Sequence, residues 1–285
     1  MKVNMISKNV VYILCLFVTL ALFLVSTTMM VTYTLRINSM NLRQPIVLPV
    51  IQRERMELNL LPRICTMNVK SFPWKPLPSR KLEEIITDFD IICLQEMFTP
   101  FELTDAFNEY TFVRGSLTNA CHQKVLPSGL VTLSKYVVIS TMFVPYKNVD
   151  AFMFDKYAEK GFLITTIQLE QTVCAIINTH LQASSFEMFN PVALKQVNEL
   201  LYHINTNLNV SLVVLAGDFN ITPEVLNQYH PSLKLVFSEE PTVRTRQARY
   251  DYFITFGNID VVNVNIIQNN VSDHFAVEGT VVVLD

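Results

Sequence analysis

Charge is scarce in these 285 residues. Asp, Glu, Lys and Arg make up 16% of the chain against 50% hydrophobic residues, and the mean hydropathy is +0.30. Soluble domains carry about a quarter charged residues, so one segment must hold the apolar excess if the rest is an ordinary enzyme. A basic surplus is missing too: 22 Lys and Arg face 25 Asp and Glu, for a net charge of −3 and a pI near 6.0. The bulk field therefore gives no support to tight nucleic-acid binding, although an enzyme can act on nucleic acid without a basic surface. The five cysteines show no disulfide framework. Cys15 lies in an apolar run, Cys65, Cys93 and Cys174 in strand-like runs, and Cys121 in a loop. No internal repeat is visible.

The apolar excess sits at the N-terminus. Asn9 to Leu35 contains no charged residue, longer than both the roughly 20 residues that cross a bilayer and the roughly 7–15 of a signal-peptide core. Residues 10–35 read as a transmembrane anchor behind a short flank, 1–9; a signal peptide cleaved near Ser26-Thr27-Thr28 is the competing reading. Lys2, Lys8 and the amino terminus, set against Arg36 and Arg43, slightly favour a cytosolic N-terminal end. The expectation is a single-pass membrane protein whose remaining chain is lumenal or extracellular. Sequons at Asn209, Asn220 and Asn270 would be used only in the secretory lumen. Residues 36–60, with Pro45, Pro49 and mixed charge, read as a juxtamembrane linker. Residues 61–285 show no second shift in composition and read as one domain.

In that domain Arg63 to Asn68 reads as a strand, Arg80 to Asp88 as an amphipathic helix and Asp90 to Glu96 as a buried strand. Strand-like runs at Gly129 to Leu133, Val137 to Val144, Phe162 to Leu169 and Val173 to Thr179 are expected to be consecutive antiparallel strands. Asn190-Pro191 opens a helical pattern, with Leu194, Val197, Leu201 and Ile204 on one side. Ser211 to Ala216 is again a buried strand, stopping at Gly217-Asp218. The tail holds strands at Tyr252 to Thr255, Ile259 to Ile267 and Phe275 to Val283. This order predicts two sheets packed face to face with helices outside.

Short polar motifs stand where these strands end: Met67-Asn68, Gln95-Glu96, Asn178-Thr179-His180-Leu181, Gly217-Asp218-Phe219-Asn220 and Ser272-Asp273-His274. Hydrolysis of a phosphodiester requires a cation against its anionic oxygens, a base for water and donors around phosphorus. Glu96 is a hard-oxygen ligand suited to Mg²⁺, with Asn68 beside it; alone, it would read as a solvated strand-end carboxylate. Asp218 and Asn220 project to one side of an extended segment, where one orients water and the other binds a phosphate oxygen. The alternative is a Gly-Asp turn before Pro223. His180 and His274 are the proton carriers, whereas His122, His203 and His230 read as structural. Asp251 either holds the tautomer of His274 or pairs with Arg244, Arg246 or Arg249 in a loop.

From about Arg63 to Val283 this set resembles the endonuclease/exonuclease/phosphatase superfamily, which includes DNase I-like nucleases, inositol-phosphate phosphatases, deadenylases and neutral sphingomyelinases. The resemblance implies an α+β fold, a four-layer αββα sandwich, here preceded by the N-terminal transmembrane helix. It also implies a metal-dependent phosphoric diester hydrolase using Mg²⁺, with Mn²⁺ or Ca²⁺ as substitutes. Asn68, Glu96 and Asp273 would then stand at the metal, and His180 beside the scissile phosphate. Asp218 and Asn220 would orient water and bind phosphate, with His274 as base and Asp251 as its support.

Within the superfamily, Glu159-Lys160-Gly161-Phe162, Thr179-His180-Leu181-Gln182-Ala183 and Ser128-Gly129-Leu130 with Ser134-Lys135-Tyr136 are similar to sphingomyelinase patterns. Leu215-Ala216 and Ile221 depart from the inositol-phosphate phosphatase pattern. Gly217-Asp218-Phe219-Asn220 suits a DNase I-like or deadenylase-like nuclease equally well. The short stretch from Asn220 to Tyr250 and the tyrosine before Asp251 are departures that bear on substrate. A phospholipid membrane is the expected partner, nucleic acid the alternative, and no obligate protein partner is evident. Phe152, Met153, Phe154 and Phe186, Met188, Phe189 form apolar loop clusters able to enter a bilayer interface or to pack on the domain. A catalytically silent tethered binding domain is a third reading, but it would have no physical need for the full polar set.

Overall fold

The computed structural model describes residues 61–99, 104–115, 126–149, 154–169, 171–184 and 190–284. The expected anchor, its flank and the linker fall outside them, as do Cys15, Cys121 and the side chains of both apolar loop clusters. Among the described residues no helix is long and apolar enough to cross a membrane.

The described residues begin with β1 (Arg63–Ser71), α1 (Ser79–Ile86), β2 (Ile91–Met97), β3 (Thr111–Arg114), β4 (Val131–Ser134) and β5 (Val138–Pro145). They continue through β6 (Gly161–Leu169), β7 (Thr172–His180), α2 (Pro191–Asn207), β8 (Leu212–Asp218), α3 (Pro223–Tyr229) and β9 (Lys234–Val236), and close with β10 (Asp251–Phe256), β11 (Ile259–Ile267) and β12 (Ala276–Val283). The strands form two mixed six-stranded sheets, ordered β11-β12-β1-β2-β4-β3 and β5-β6-β7-β8-β10-β9. Each has one parallel pair at its centre, β1 with β2 and β7 with β8, because a helix carries the chain back across the outer face between them. The sequence shows no repeat, yet the topology does: two βαβ units, one per sheet.

Three apolar clusters account for the layering. Ile64, Ile91 and Cys93 of the first sheet meet Cys174, Ile176, Val214 and Phe253 of the second in the core between the sheets. Cys65, Met67, Ile92 and Leu94 face outward onto Leu82 and Ile86 of α1. Ala175, Ile177, Val213 and Leu215 face outward onto Ala193, Leu194, Val197 and Leu200 of α2 and Leu226 of α3. Central strands are therefore covered on both sides, which explains their unbroken apolar runs. Asn190 caps α2 as expected, its side chain accepting from the Ala193 N–H at 3.0 Å with Pro191 behind it. Cys65, Cys93 and Cys174 are free and buried, and burial pushes the Cys93 and Cys174 thiols up to about 12, so they are inert at neutral pH.

The expected run of four antiparallel strands divides. β5, β6 and β7 do form a meander, but β4 pairs with β2 and β3 in the other sheet. Local sequence carries strand character and not strand partnership, so the break between Ser134 and Val138 was invisible. β3, β9 and α3 were unforeseen; each is too short to establish a period.

Toward the C-terminal ends of the central strands, the inner positions turn from apolar to polar. Ile64 gives way to Thr66 and Asn68, Ile91 and Cys93 to Gln95, Cys174 and Ile176 to Asn178 and His180, and Ala216 to Asp218. Gln95 Nε2 donates to Asn178 Oδ1 at 2.8 Å and to Thr66 Oγ1 at 3.0 Å, while Asn178 Nδ2 donates to the Leu94 and Val131 carbonyls at 3.0 and 2.9 Å. The three bonds of Asn178 cross from one sheet to the other, and the Gln95–Thr66 bond braces Gln95 within its own sheet. Asn178→Ala strands several buried groups at once and is expected to lower stability by about 2–4 kcal/mol, measured by urea unfolding; a cost within about 0.5 kcal/mol would show the bridge to be dispensable.

Candidate active site

Asn68 ends the inner row of β1 and is almost wholly buried. Its Nδ2 donates to Glu96 Oε1 and to Asp218 Oδ2, both at 3.0 Å, joining a carboxylate from each sheet. Its Oδ1 accepts from the Lys70 N–H at 3.1 Å, and its carbonyl accepts from the Ser272 hydroxyl at 2.7 Å. Asn68, expected at the metal, thus places its amide between two acids in this structure. Glu96 keeps its second oxygen, Oε2, buried and without a hydrogen-bond partner. Burial pushes the Glu96 carboxyl up despite the Asn68 bond and the Lys160 charge.

Asp218 sits at the end of β8, where Gly217 is forced: a Cβ there would meet the Thr179 carbonyl oxygen at 2.0 Å. Asp218 Oδ1 accepts from the Asn220 N–H at 3.0 Å, and Oδ2 lies 3.5 Å from His180 Nε2 and 3.8 Å from His274 Nε2. Burial raises the Asp218 carboxyl, with the His274 charge opposing. Asp218 and Asn220 do not share one extended face. Asn220 turns left-handed, φ 47°, and its Nδ2 donates to the Leu181 carbonyl at 3.0 Å. Asparagine bears that conformation more easily than most residues.

The two histidines have opposite surroundings. Asp251, fully buried at the start of β10, pairs with His274 Nδ1 at 2.8 Å, and its N–H donates to Thr242 Oγ1 at 3.2 Å. Burial by itself would lower His274, but Asp251 and Asp218 raise it to about 10. Asp251 therefore belongs to the histidine and not to the arginines of the neighbouring loop; Arg249 pairs with Glu224 and Glu239. His180, by contrast, is lowered to about 4 by burial and then by Lys160. Its Nε2 accepts from Lys160 Nζ at 3.0 Å, which assigns the proton to Nδ1.

Asp155, and the place of Lys160 in the site, are what sequence reasoning missed. The Lys160 ammonium is buried, 3.2 Å from Asp155 Oδ2, and donates to the Leu181 carbonyl at 3.3 Å. Asp155 also accepts from the Ala183 N–H at 2.8 Å and Gln182 Nε2 at 3.2 Å; burial raises its carboxyl, but Lys160 and the other donors together hold it below the usual range. The available signal was a lysine leading directly into the buried strand Gly161–Leu169. Asp273 lies at the rim, its Oδ2 bonded by the Lys70 ammonium. Burial would raise that carboxyl, and the Lys70 bond and the His274 charge hold it low.

The residues singled out in the sequence thus converge: Asn68, Glu96, His180, Asp218, Asp251 and His274 form one contact chain, with Asn220 and Asp273 attached at its edges. A model of the endonuclease/exonuclease/phosphatase family matches residues 65–274. The chain belongs to that family. A sphingomyelinase of Dictyostelium discoideum is 24% identical over an alignment of 184 positions, covering 50% of this chain and 39% of that protein. This chain therefore matches less than half the relative's length. Staphylococcus aureus beta toxin with bound magnesium ions has the same fold, with TM-score 0.59, 16% identity, and 77% of this chain and 99% of the toxin covered. D. rerio TDP2 complexed with a single-strand DNA product does as well, with TM-score 0.58, 13% identity, and 77% and 98% covered. At such identities the two structures speak to the fold alone, whereas family membership supports hydrolase chemistry in general.

The donor set fits a divalent cation. Glu96 Oε2 is a buried hard-oxygen ligand with nothing bonded to it. Ligand atoms of Asp218, Asp251 and His274 also lie within 4.8 Å of one another, but the Asp251–His274 hydrogen bond commits that imidazole to a proton, which favours Glu96 as the metal-facing group. Because His274 is raised above its unfolded value of about 6.5, the stability it contributes is complete below that pH and is lost as pH rises through about 10. Asp251→Asn removes the larger raising charge. Its His274 is expected to titrate about one to three pH units lower by NMR; an unmoved midpoint would exclude Asp251 as its electrostatic partner.

Proposed function

We propose that this chain is a divalent-metal-dependent phosphodiesterase of the sphingomyelinase type, cleaving sphingomyelin to ceramide and phosphocholine. The observation that carries this reading is the unpartnered Glu96 oxygen beside a buried Asp218–His274–Asp251 relay. One group faces a cation and the other moves a proton. Mg²⁺ held through Glu96, with Mn²⁺ or Ca²⁺ as substitutes, would neutralise charge on the phosphoryl oxygens and acidify water.

The chain's own residues supply the rest. Asp218, between both imidazoles, orients the attacking water, and His274 Nε2 would take its proton once the charge of a bound cation had offset the carboxylates that raise the imidazole and so returned it to the neutral form. Asp251 holds the opposite ring nitrogen, so that Nε2 is the accepting atom and the imidazolium, once formed, is stabilised. Lys160, its ammonium shared between His180 and Asp155, would oppose charge on the pentacoordinate phosphorus. Neutral His180 positions that lysine, and Asn220 offers its remaining amide capacity to a phosphate oxygen. Asn68 keeps Glu96 and Asp218 apart by bonding to both.

The lipid substrate is supported by the sphingomyelinase-like local motifs, by the Dictyostelium relative and by the charge-free segment 10–35. An anchor there, followed by the linker 36–60 and the catalytic domain 61–285, would hold the domain beside lipid phosphodiesters at high effective concentration. A nuclease of the same fold is the second reading, because Gly217-Asp218-Phe219-Asn220 suits one equally well. Full-length chain with Mg²⁺ and choline-labelled sphingomyelin vesicles is expected to release phosphocholine; EDTA abolishes this and His274→Ala lowers it by about 10²–10⁴-fold. Cleavage of an oligonucleotide with the lipid untouched would transfer the assignment to the nuclease reading.

The proposed topology puts the domain in the lumen or outside the cell. Asn209 and Asn270 are exposed, whereas Asn220 is half-buried with one amide hydrogen bonded to the Leu181 carbonyl. Glycosidase treatment should therefore remove two glycans, both absent in Asn209→Gln/Asn270→Gln; a chain without glycans would count against the lumenal side.

A further inference from the structure

The strand-end acids of this site meet two different kinds of partner. Glu96 leaves Oε2 unpartnered, whereas Asp273 has Oδ2 bonded by Lys70 and Oδ1 3.4 Å from the Ser272 hydroxyl. Lys70 reaches Asp273 through a particular backbone device. The β1–β2 register slips between Asn68 and Ser71, and in that slip Lys70 adopts a left-handed φ of 49°. Lysine has no short polar side chain to bond its own backbone, so it takes this conformation only where its surroundings impose it. Two contacts do so: its N–H is held by Asn68 Oδ1 at 3.1 Å, and its ammonium is held by Asp273. Of the four non-glycine residues with left-handed φ among those described, Lys70, Glu96 and Asn220 belong to this site.

We propose that Lys70 is a built-in cation of the active site, occupying Asp273 in place of a divalent ion, so that the metal binds through Glu96 without Asp273 as a ligand. The inference rests on the metal-dependent reading above. An ammonium is a compact point charge carrying three donors, and it satisfies a carboxylate without stripping water from a dication. Mg²⁺ manages with one or two carboxylates, the remainder being water and phosphate, so Glu96 suffices. The consequence is a site of deliberately modest metal affinity: one carboxylate attracts the ion and a fixed positive charge stands nearby.

The test is Mn²⁺ binding to the full chain without substrate, followed by the EPR signal of the free ion. Lys70→Met frees Asp273 and is expected to bind Mn²⁺ at least about tenfold more tightly, or to take up a second ion. Lys70→Gln serves as a second neutral variant, and Lys70→Arg should bind as wild type does. Lys70→Met/Asp273→Asn removes one charge of each sign, and its affinity should return to the wild-type value. A double variant weaker than wild type would mean that Asp273 is already a ligand, and one as tight as Lys70→Met would mean that Lys70 only repels; either result overturns the proposal, as does an unchanged Lys70→Met. No Mn²⁺ binding by any form would overturn the metal-dependent reading itself, and this one with it.

Discussion

The hydrogen bond from Gln95 to Asn178 is the constraint on which the rest of the site depends. Glu96 and Asn68 rise from one sheet, and His180, Asp218 and Asp251 from the other. Nothing covalent nearby sets the distance between these groups. Apolar packing between the sheets is non-directional and would tolerate sliding, whereas a Gln95 amide bonded to Thr66 and an Asn178 amide bonded to Leu94 and Val131 have one geometry. The polar tier sits one residue before Glu96 and two before His180. It converts a loose sandwich into a fixed bed for charged groups, at a place where an unmade bond is expensive.

Above that tier, environment rather than residue type assigns the chemistry. His180 and His274 begin with the same ordinary pKa and end far apart, at about 4 and about 10. Lys160 stands against one, and Asp251 and Asp218 against the other. One imidazole is therefore held neutral and accepts a hydrogen bond from a cation, while the second is built to carry a proton. Such divergence between like groups in a shared pocket is the physical signature of separate acid–base roles. The carboxylates divide in the same way. Asp251 serves a histidine through one oxygen, Asp155 and Asp273 serve lysines, and Glu96 bonds only the Asn68 amide and leaves its second oxygen, like Oδ1 of Asp251, without a hydrogen-bond partner.

Much of this was legible beforehand, for a definite reason. Motifs at strand ends are local, and the apolar runs before them fixed both strand identity and the end at which each polar group emerges; β11 matches the expected Ile259 to Ile267 at both ends. Partnership was not legible. Asn68 beside Glu96 read as a ligand, and only the fold turned its amide toward two carboxylates. Asn220 read as facing the same way as Asp218, and a single left-handed residue turned it aside. Lys160 was visible as part of a pattern, but its burial against His180 comes from the meander of β6 on β7.

By itself the sequence determined the longer strands and helices, the set of polar groups and the end of the sheets at which they gather, because periodicity and strand termination act over a few residues. Only the tertiary structure decided which acid meets which base, that β4 leaves its neighbour for the other sheet, that Lys70 finds Asp273 and that one glutamate oxygen stays open. Electrostatic roles depend on distances of a few ångströms between residues far apart in the chain, and those distances exist only once the two sheets have closed.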